Sequence, residues 1–514
     1  MKKKILALLM VACMAVGMLA ACGGNGDDTE NKGSENKGTE NVGGSEVGSE
    51  EDEAPELSKE VETLKMIMIT VIGSTEEADQ VEAKINEYIE PLIYANVEIE
   101  WLDLGEYFST IIPRLIQGET IDILPTFGTF VPALTGQEAL MPLDDLIKDY
   151  GKGIAESVGA DYMKAGQING TQYVIPTVAA FAQNDALLYR TDIVEELNLD
   201  LSNVKTLADL TPIFAAVKAA HPEMTMICAN SATDPMLREW DWDGLGDEYG
   251  VLMNPTESTT VVNLFETEEY KEYITLMNEW YKAGYIQTDA AICTDSLSTI
   301  FETGLYFGTI AKDYPGNVEE KFGMSAYSFA SIPLGDAIST TNLVTNNVMT
   351  IPENAEYPEK AMAFINLLYT DATLQNLFNY GIEGQHYQLV DGRADYMPGE
   401  FIMNAKYVSK YHIGNYTLGY EAASEPAGIY EEIKEFNKTS ATSAALGFSY
   451  DSTEVADEIT AIANVCAKYR RGLEAGSMDP SELDNFISEL KAAGIDTVIA
   501  AKQAQLDAWL AAQN

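Results

Sequence analysis

The feature that most constrains the fold is an alternation of strand-like and helix-like patterns between residues 64 and 124. Three segments have the apolar or alternating pattern of strands, at residues 64–73, 97–104 and 121–124. Two segments between them carry apolar residues at helical spacing, and the second runs from about residue 107 to 117. Consecutive strands in this order lie parallel, because a right-handed helical crossover returns the chain to the same edge. The alternation therefore predicts a parallel sheet in an α/β fold.

A parallel sheet also predicts where a ligand binds, because ligands lie beyond the carboxyl ends of the strands. Three loops follow the three strands, at residues 73–75, 103–105 and 125–128. We expect ligand contacts from polar and aromatic side chains in these loops. An ordinary turn is the simpler alternative for any single residue. The candidates are Ser74, Thr75, Asp103, Thr126 and Phe127.

A second α/β region begins near residue 189. Before it, residues 167–173 predict a hairpin with a tight Asn-Gly turn. Thr206 and Asp209 have the spacing of a capping box at the start of an amphipathic helix. From about residue 451 the pattern is helical. Further strands are predicted at 224–229, 306–310, 326–332 and 344–351, and further helices at 267–283 and 358–380.

The first 22 residues have the layout of a secretory signal peptide. Three lysines precede an apolar run at residues 5–18, which is shorter than the roughly 20 residues that span a membrane. Leu19-Ala20-Ala21-Cys22 resembles the bacterial lipobox, in which the Cys becomes the first mature residue and carries lipid. The resemblance implies that Cys22 anchors the protein to the membrane. An ordinary signal peptide that happens to contain a Cys is the alternative.

Residues 23–60 are rich in Gly, Asn, Ser, Thr and acidic side chains. Such a segment cannot bury enough apolar surface to offset its ordering entropy, so we expect a disordered acidic tether. As a flexible coil of roughly 38 residues it would reach about 35 Å. That reach would hold a folded body clear of the membrane.

The chain is strongly acidic, with 81 Asp and Glu against 31 Lys and Arg and a formal net charge of −50. A surface of this charge repels phosphate backbones, so we expect no nucleic-acid partner.

The cysteines and histidines predict neither a disulfide framework nor a metal centre. After the proposed anchor, the chain has Cys228, Cys293 and Cys466, which are widely spaced. Cys228 and Cys466 have apolar surroundings and are expected in the core, while a Cys228–Cys293 pair stays open. The three His residues have no metal-ligand spacing, so we expect no metal and no cofactor. The acidic residues around Gly244 also fail the calcium-loop pattern, which needs Gly at position 6 and Glu at position 12.

Several segments, taken in order, resemble the extracellular solute-binding proteins of ABC importers. The ordered series carries the resemblance, and it covers nearly all of residues 60–514. Two later stretches, 380–387 and 479–509, are similar to Gram-positive sugar-importer lipoproteins with an extra C-terminal domain. The earlier segments of the series are 142–147, 189–197, 206–210, 278–286 and 358–371.

The resemblance implies a two-lobed, class II periplasmic-binding-protein-like α/β fold with a hinge and a C-terminal helical extension. It implies that a monomer captures an oligosaccharide between the lobes and delivers it, without catalysis, to the permease subunits of an ABC transporter. It also implies a lipid-anchored location on the extracellular face of a Gram-positive cell membrane.

The expected boundaries follow from the two lobes and the N-terminal segments. They are 1–22 for the signal peptide, 23–60 for the tether, 61–185 with 325–375 for the N-terminal lobe, and 186–324 with 376–514 for the C-terminal lobe including the helical domain.

Sugar chemistry selects the remaining site candidates. A sugar has apolar CH faces and a ring of hydroxyl groups, so it needs aromatic platforms with amide or carboxylate partners. Trp240 and Trp242 alternate with two Asp residues outside any helical stripe, and each is a platform or the anchor of its own loop. The other candidates follow predicted strands or lie in polar and aromatic clusters. They are Lys312, Tyr314, Asn346, Asn347, Glu383, His386, Tyr387 and Tyr416, of which the 383–387 group is alternatively a hairpin that holds the lobes together.

Two other functions stay open at this point. A surface glycoside hydrolase would need two carboxylates about 5 to 10 Å apart, and 81 acidic residues leave room for such a pair. The sequence carries no nucleophile elbow, metalloprotease or P-loop motif. A binding protein for a peptide or another polar solute is the second alternative.

Overall fold

The computed structural model describes residues 55–70, 76–228, 242–323, 325–397 and 412–513. No helix within these ranges is both long and apolar enough to cross a membrane. Several predicted features fall outside the described residues: the signal peptide, the tether up to residue 54, Cys22, Ser74, Thr75 and Trp240.

The fold begins with the parallel strands that the alternation predicts. β1 (Glu62–Thr70) and β2 (Ala95–Asp103) pair in parallel through their whole length. α1 (Glu76–Ile93) crosses between them, and α2 (Leu104–Ile116) follows β2. Val81, Ile85 and Ile89 of the predicted apolar series of α1 are buried in the core with β2, whereas Leu92, the last of the series, is exposed.

The third strand starts three residues later than predicted. β3 is Leu124–Phe127, whereas the pattern placed the strand at 121–124. Ile123 forms only a single parallel bridge to β1. Asp122 interrupts the strand because its buried carboxylate accepts three backbone N–H hydrogen bonds at 2.8–3.0 Å from neighbouring segments.

A strand from much later in the chain completes this part of the fold. β15 (Asn347–Thr350) pairs antiparallel with β3 and with β6 (Ile175–Pro176). The sequence predicts this return strand from residue 344, but α12 (Thr341–Val344) occupies its expected start. Thr340 caps that helix by accepting a hydrogen bond from the Leu343 amide at 3.4 Å.

A second, mixed sheet has the order β13-β7-β12-β8. β7 (Asn184–Arg190) is antiparallel to β12 (Tyr306–Asp313) and to β13 (Phe329–Pro333). β12 is parallel to β8 (Thr225–Ile227). The predicted strands of this region are therefore present.

Two local sequence signals are confirmed in detail. β4 (Gln167–Ile168) and β5 (Thr171–Gln172) form the predicted hairpin, and the Asn-Gly pair between them has positive φ angles of 52° and 82°. The capping box forms as well, with the Asp209 carboxylate accepting from the Thr206 amide at 2.9 Å.

The long helix predicted over 358–380 is two helices. α13 (Pro358–Thr370) and α14 (Ala372–Tyr380) meet at Asp371. The Asp371 carboxylate accepts from the Leu374 amide at 2.9 Å and from the Tyr88 hydroxyl at 2.7 Å. It caps α14 instead of continuing α13.

The other helices and strands lie mostly in the connections and in the C-terminal part of the chain. The helices are α3 (Val131–Gly136), α4 (Asp144–Tyr150), α5 (Ile154–Val158), α6 (Ala160–Met163), α7 (Thr191–Leu197), α8 (Leu210–Ala220), α9 (Glu268–Lys282), α10 (Leu297–Glu302), α11 (Asn317–Phe322), α15 (Ile429–Thr439), α16 (Ala456–Glu474), α17 (Leu483–Ala492) and α18 (Ile495–Ala512). The strands are β9 (Trp242–Asp243), β10 (Val251–Met253), β11 (Val261–Val262), β14 (Ile338–Ser339), β16 (Tyr387–Val390), β17 (Arg393–Tyr396) and β18 (Ala441–Thr442).

Two large apolar clusters organise the described residues. The first core joins β1, β2, α1, α13 and α14. The second core joins β7, β8, β12 and α9, and the C-terminal helices α16, α17 and α18 contribute side chains to it. Cys228, Cys293 and Cys466 are free thiols buried in the second core. Burial raises the pKa of Cys228 to about 12.

Candidate functional site

A small pocket lies at one end of β1, β3 and β15. β1 and β3 run parallel and end here, whereas β15 runs antiparallel and begins here. The predicted candidates Thr126, Phe127 and Asn347 therefore lie together, although Asn347 is more than 200 residues from the other two in sequence. The lining residues are Met68, Ile69, Pro125, Thr126, Phe127, Asn347 and His412.

The register between β3 and β15 brings the predicted residues Phe127 and Asn347 together. Phe127, the last residue of β3, stands opposite Asn347, the first residue of β15. Gly128 follows at once, and its amide donates to the Thr345 carbonyl at 2.9 Å. A Cβ atom at Gly128 would lie 2.3 Å from that carbonyl oxygen, so the close approach of the two segments requires glycine.

One wall of the pocket is aromatic. The ring of Phe127 lies 5.6 Å from Phe108 of α2 and 5.7 Å from His412, measured between ring centroids. Phe108 also packs 4.9 Å from Phe130. Phe127 is partly exposed and presents apolar ring surface at the pocket, whereas Phe108 packs beside it outside the lining.

The polar side of the pocket is uncharged among the described residues. Thr126 is 3% exposed, and its hydroxyl makes no hydrogen bond of normal geometry within the described part of the chain. The Asn347 carbonyl accepts from the Thr177 amide at 3.0 Å, which fixes its backbone. None of the described lining residues is Asp or Glu. A pair of catalytic carboxylates is therefore not part of this lining.

Sequence reasoning missed His412. Burial lowers the pKa of its imidazole to about 4, so the ring is neutral at pH 7. Its Nδ1 atom has no hydrogen-bond partner among the described groups. A neutral imidazole offers one donor and one acceptor, which suits a sugar hydroxyl. No local pattern marks this residue, because its contact with Phe127 spans most of the chain.

Two predicted neighbours of the pocket are not in its lining. Asp103 is exposed at the end of β2 and caps α2 by accepting from the Glu106 amide at 2.9 Å. Asn346 is exposed one residue before Asn347.

Lys312 and Tyr314 lie at the end of β12, in the second sheet. The Lys312 ammonium is 3.0 Å from the buried Asp185 carboxylate and keeps 39% of its side chain exposed. The Tyr314 hydroxyl donates to Glu320 at 2.9 Å. Asn317, which is fully buried, donates to the Lys312 carbonyl at 3.0 Å and so holds the strand end.

The 383–387 group leads into a hairpin of two short strands. Tyr387 starts β16, which pairs with β17, and it is 4% exposed. His386 is 1% exposed, and its Nδ1 accepts from the Ile382 amide at 3.0 Å. Glu383 is exposed on the turn before it.

Tyr416 is part of a tyrosine cluster beside this hairpin. Its ring lies 5.3 Å from Tyr430 at 84°, and only 3% of the residue is exposed. The hydroxyls of Tyr380 and Tyr430 both donate to the Tyr420 carbonyl, at 2.7 and 2.9 Å. These contacts make the cluster a packing unit that joins α14, the hairpin and α15.

Trp242 occupies β9 and is partly exposed. It pairs with Met253 of β10 and packs against the second core. The structure thus places it in a different part of the chain's fold from the pocket residues.

Two known protein families match most of the chain. The sequence model described as bacterial extracellular solute-binding protein matches residues 74–375, more than half of the chain. A second family, described as a domain of unknown function (DUF3502), matches residues 444–511.

Individual relatives cover nearly the whole chain. A protein of Streptococcus pneumoniae serotype 4 described as a carbohydrate ABC transporter substrate-binding protein is 25% identical over 456 residues, which cover 86% of this chain and 90% of the relative. The crystal structure of the N-glycan transport solute binding protein NgtS from S. pneumoniae has a TM-score of 0.77 at 24% identity and covers 88% of this chain and 100% of that chain. NgtS in complex with Man1GlcNAc has a TM-score of 0.68 at 23% identity, with 87% and 99% covered.

Proposed function

Because the chain belongs to the bacterial extracellular solute-binding protein family, we propose that it binds an oligosaccharide beside Phe127 and delivers it to the permease of an ABC importer. The solute-binding role is that of the family, and the fold agrees with it. The carbohydrate class rests on the relatives and on the chemistry of the pocket.

The observation that carries the proposal is the composition of the pocket wall. The partly exposed ring of Phe127, which packs against Phe108, supplies the apolar surface for sugar CH groups. Thr126, Asn347 and His412 supply uncharged donors and acceptors for hydroxyl groups. A neutral ligand with alternating apolar and hydroxyl faces fits this wall better than a charged one.

We further propose that the second sheet supplies the other side of the cleft. Lys312 keeps a partly exposed ammonium group at the end of β12, and Tyr314 lies two residues beyond it. Closure of the lobes then needs only a higher affinity of the ligand for the closed form. The expected lobes are those of the sequence analysis, 61–185 with 325–375 and 186–324 with 376–514.

The test is isothermal calorimetry of residues 23–514 against plant, host and microbial oligosaccharides, with product analysis of each mixture. Micromolar binding, about −8 kcal/mol, with intact sugar supports the proposal. Phe127→Ala and Asn347→Ala should weaken binding, whereas Leu389→Ala, on the exposed hairpin, should not.

The same experiment separates the alternatives. Cleaved sugar would establish a glycoside hydrolase, and no binding across the panel would favour a peptide or another polar solute. The relatives are transport proteins, which agrees with a role without catalysis.

We also propose that residues 1–22 are removed and that lipid on Cys22 holds the protein at the extracellular face of a Gram-positive membrane. The family is extracellular, and the Leu-Ala-Ala-Cys sequence supports the anchor. Labelled palmitate should enter the wild type and not Cys22→Ala, which should appear in the medium. Sedimentation should show a monomer, and pull-down should recover the permease subunits.

A further inference from the structure

One buried lysine connects the C-terminal segment to the second core. Lys502 lies on α18, and its side chain has no exposed surface. Its ammonium group enters loop 243–250, which leads from β9 to β10. The contact therefore joins the segment that matches the domain of unknown function to a loop from the middle of the chain.

The loop satisfies the ammonium group completely. An ammonium has three N–H donors. Lys502 Nζ donates to Gly244 O at 3.3 Å, to Asp247 Oδ1 at 2.6 Å and to Gly250 O at 3.0 Å. The ring of Tyr450 lies 4.9 Å from the same nitrogen. The three acceptors and the aromatic face compensate the lysine for its lost hydration.

The loop itself has an unusual backbone. Leu245 has a φ of 51° and Gly250 a φ of 138°, and the first of these is costly for a residue with a side chain. Asp243 Oδ1 accepts from the Leu245 amide at 2.9 Å, and Asp247 Oδ1 accepts from the Tyr249 amide at 2.7 Å. Asp247 Oδ1 thus binds both the loop backbone and Lys502.

Carbonyl and carboxylate oxygens that converge in a tight loop are the ligands that Ca²⁺ prefers, but here a lysine supplies the charge. Burial lowers the pKa of Lys502, and the Asp247 carboxylate acts in the opposite direction. The acidic loop therefore opposes the effect of burial on the pKa of the lysine.

A second contact ties the same loop to another C-terminal helix. Arg470 of α16 pairs with Glu248 of the loop and lies 2.8 Å from the fully buried carboxylate of Glu474. Gln503, next to Lys502, accepts from the Val261 amide of β11 at 2.7 Å. The C-terminal helices therefore hold the loop and its neighbouring strand at several points.

We propose that Lys502 is a built-in cation that fixes the conformation of loop 243–250. The segment 444–511 then works as a structural part of the second core rather than as a separate module. This inference concerns the loop alone and does not depend on which ligand the protein binds.

The first test is amide hydrogen exchange of residues 23–514 carrying Lys502→Met, which keeps the apolar stem and removes the charge. We expect the amides of Leu245 and Tyr249 to exchange about a hundredfold faster or more, because one partner of a buried pair is lost. Lys491→Met is the control, since that lysine is 46% exposed and pairs with Glu266 on the surface. Unchanged exchange in Lys502→Met would overturn the proposal.

The second test is chemical rescue of Lys502→Ala. Propylammonium replaces the missing stem and charge, whereas 1-propanol replaces the stem without the charge. We expect slow exchange to return with propylammonium and not with 1-propanol. Equal rescue by both compounds, or rescue by neither, would refute the role of the charge.

A double-mutant cycle keeps the inference testable if the alanine variant does not fold. Asp247→Asn preserves an acceptor for the Tyr249 amide but removes the charge that faces Lys502. The double variant with Lys502→Met should exchange more slowly than the product of the two single accelerations predicts. Accelerations that simply multiply would mean that the two groups do not act together.

Discussion

Acidification should destabilise this protein through His412 in particular. Its imidazole has a pKa of about 4 in the folded protein against about 6.5 in an unfolded chain. The unfolded state therefore binds a proton that the folded state excludes, and stability falls as the pH drops from 6.5 towards 4. Between pH 7.5 and 5.0 the loss from this group is about 2 kcal/mol. None of the other described pocket-lining residues is titratable, so within the pocket this contribution comes from His412 alone.

The assay is urea unfolding of wild type and His412→Asn at pH 7.5 and 5.0. Carboxylates elsewhere titrate equally in both proteins, so the difference between the two pH-dependent losses isolates the histidine. The variant should lose about 2 kcal/mol less than wild type between the two pH values. His221→Asn is the control, because it removes an imidazole at the partly exposed end of α8, away from the pocket.

Equal losses of unfolding free energy in wild type and His412→Asn on acidification would refute this prediction. That outcome would mean that His412 is hydrated in the folded protein and is not a neutral member of the pocket wall. A larger loss in the variant than in wild type would refute the sign of the effect.

The remaining predictions concern the elements that build the pocket. Asp122→Ala should lower the free energy of unfolding by about 3 to 5 kcal/mol in urea, because three backbone N–H donors lose a buried, charged acceptor. A change below about 1 kcal/mol would contradict this prediction. Gly128→Ala should weaken oligosaccharide binding in calorimetry, because its Cβ would meet the Thr345 carbonyl at 2.3 Å. Gly136→Ala, where a Cβ meets nothing within 4 Å, is the matched control and should bind normally. Phe127→Ala should weaken binding about tenfold, consistent with about 1.4 kcal/mol of lost ring contact, and unchanged affinity would remove Phe127 from the site.

Sequence patterns predicted the elements whose causes are local. The period of apolar residues is a property of neighbouring positions, so α1 and the parallel pair of β1 and β2 followed from it. The Asn-Gly hairpin and the capping box also depend on residues within one turn of each other. Errors arose where a distant group decided the structure. Asp122 binds amides from segments up to 235 residues away, which moved the start of β3.

In the candidate site, too, residues marked by a local pattern were predicted and a residue marked only by a distant contact was missed. Thr126 and Phe127 were predicted because they follow a strand, and Asn347 because it lies on the return strand. His412 was missed because only its contact with Phe127 marks it. Tyr416 and Tyr387 were chosen as aromatic residues in polar stretches, yet the structure buries both in packing contacts. Composition identifies residues that could contact a sugar but not which of them face a pocket.

The direction of β15 explains why this pocket needs the whole chain. Parallel strands bring their carboxyl ends to one edge, so β1 and β3 alone place Met68 and Phe127 there. An antiparallel strand brings its amino end to that edge, and β15 does so only after the chain has built the second sheet. Asn347 and His412 therefore reach the pocket from beyond the second sheet in sequence. Such long-range contacts cost loop-closure entropy, which the packing of the folded chain must offset.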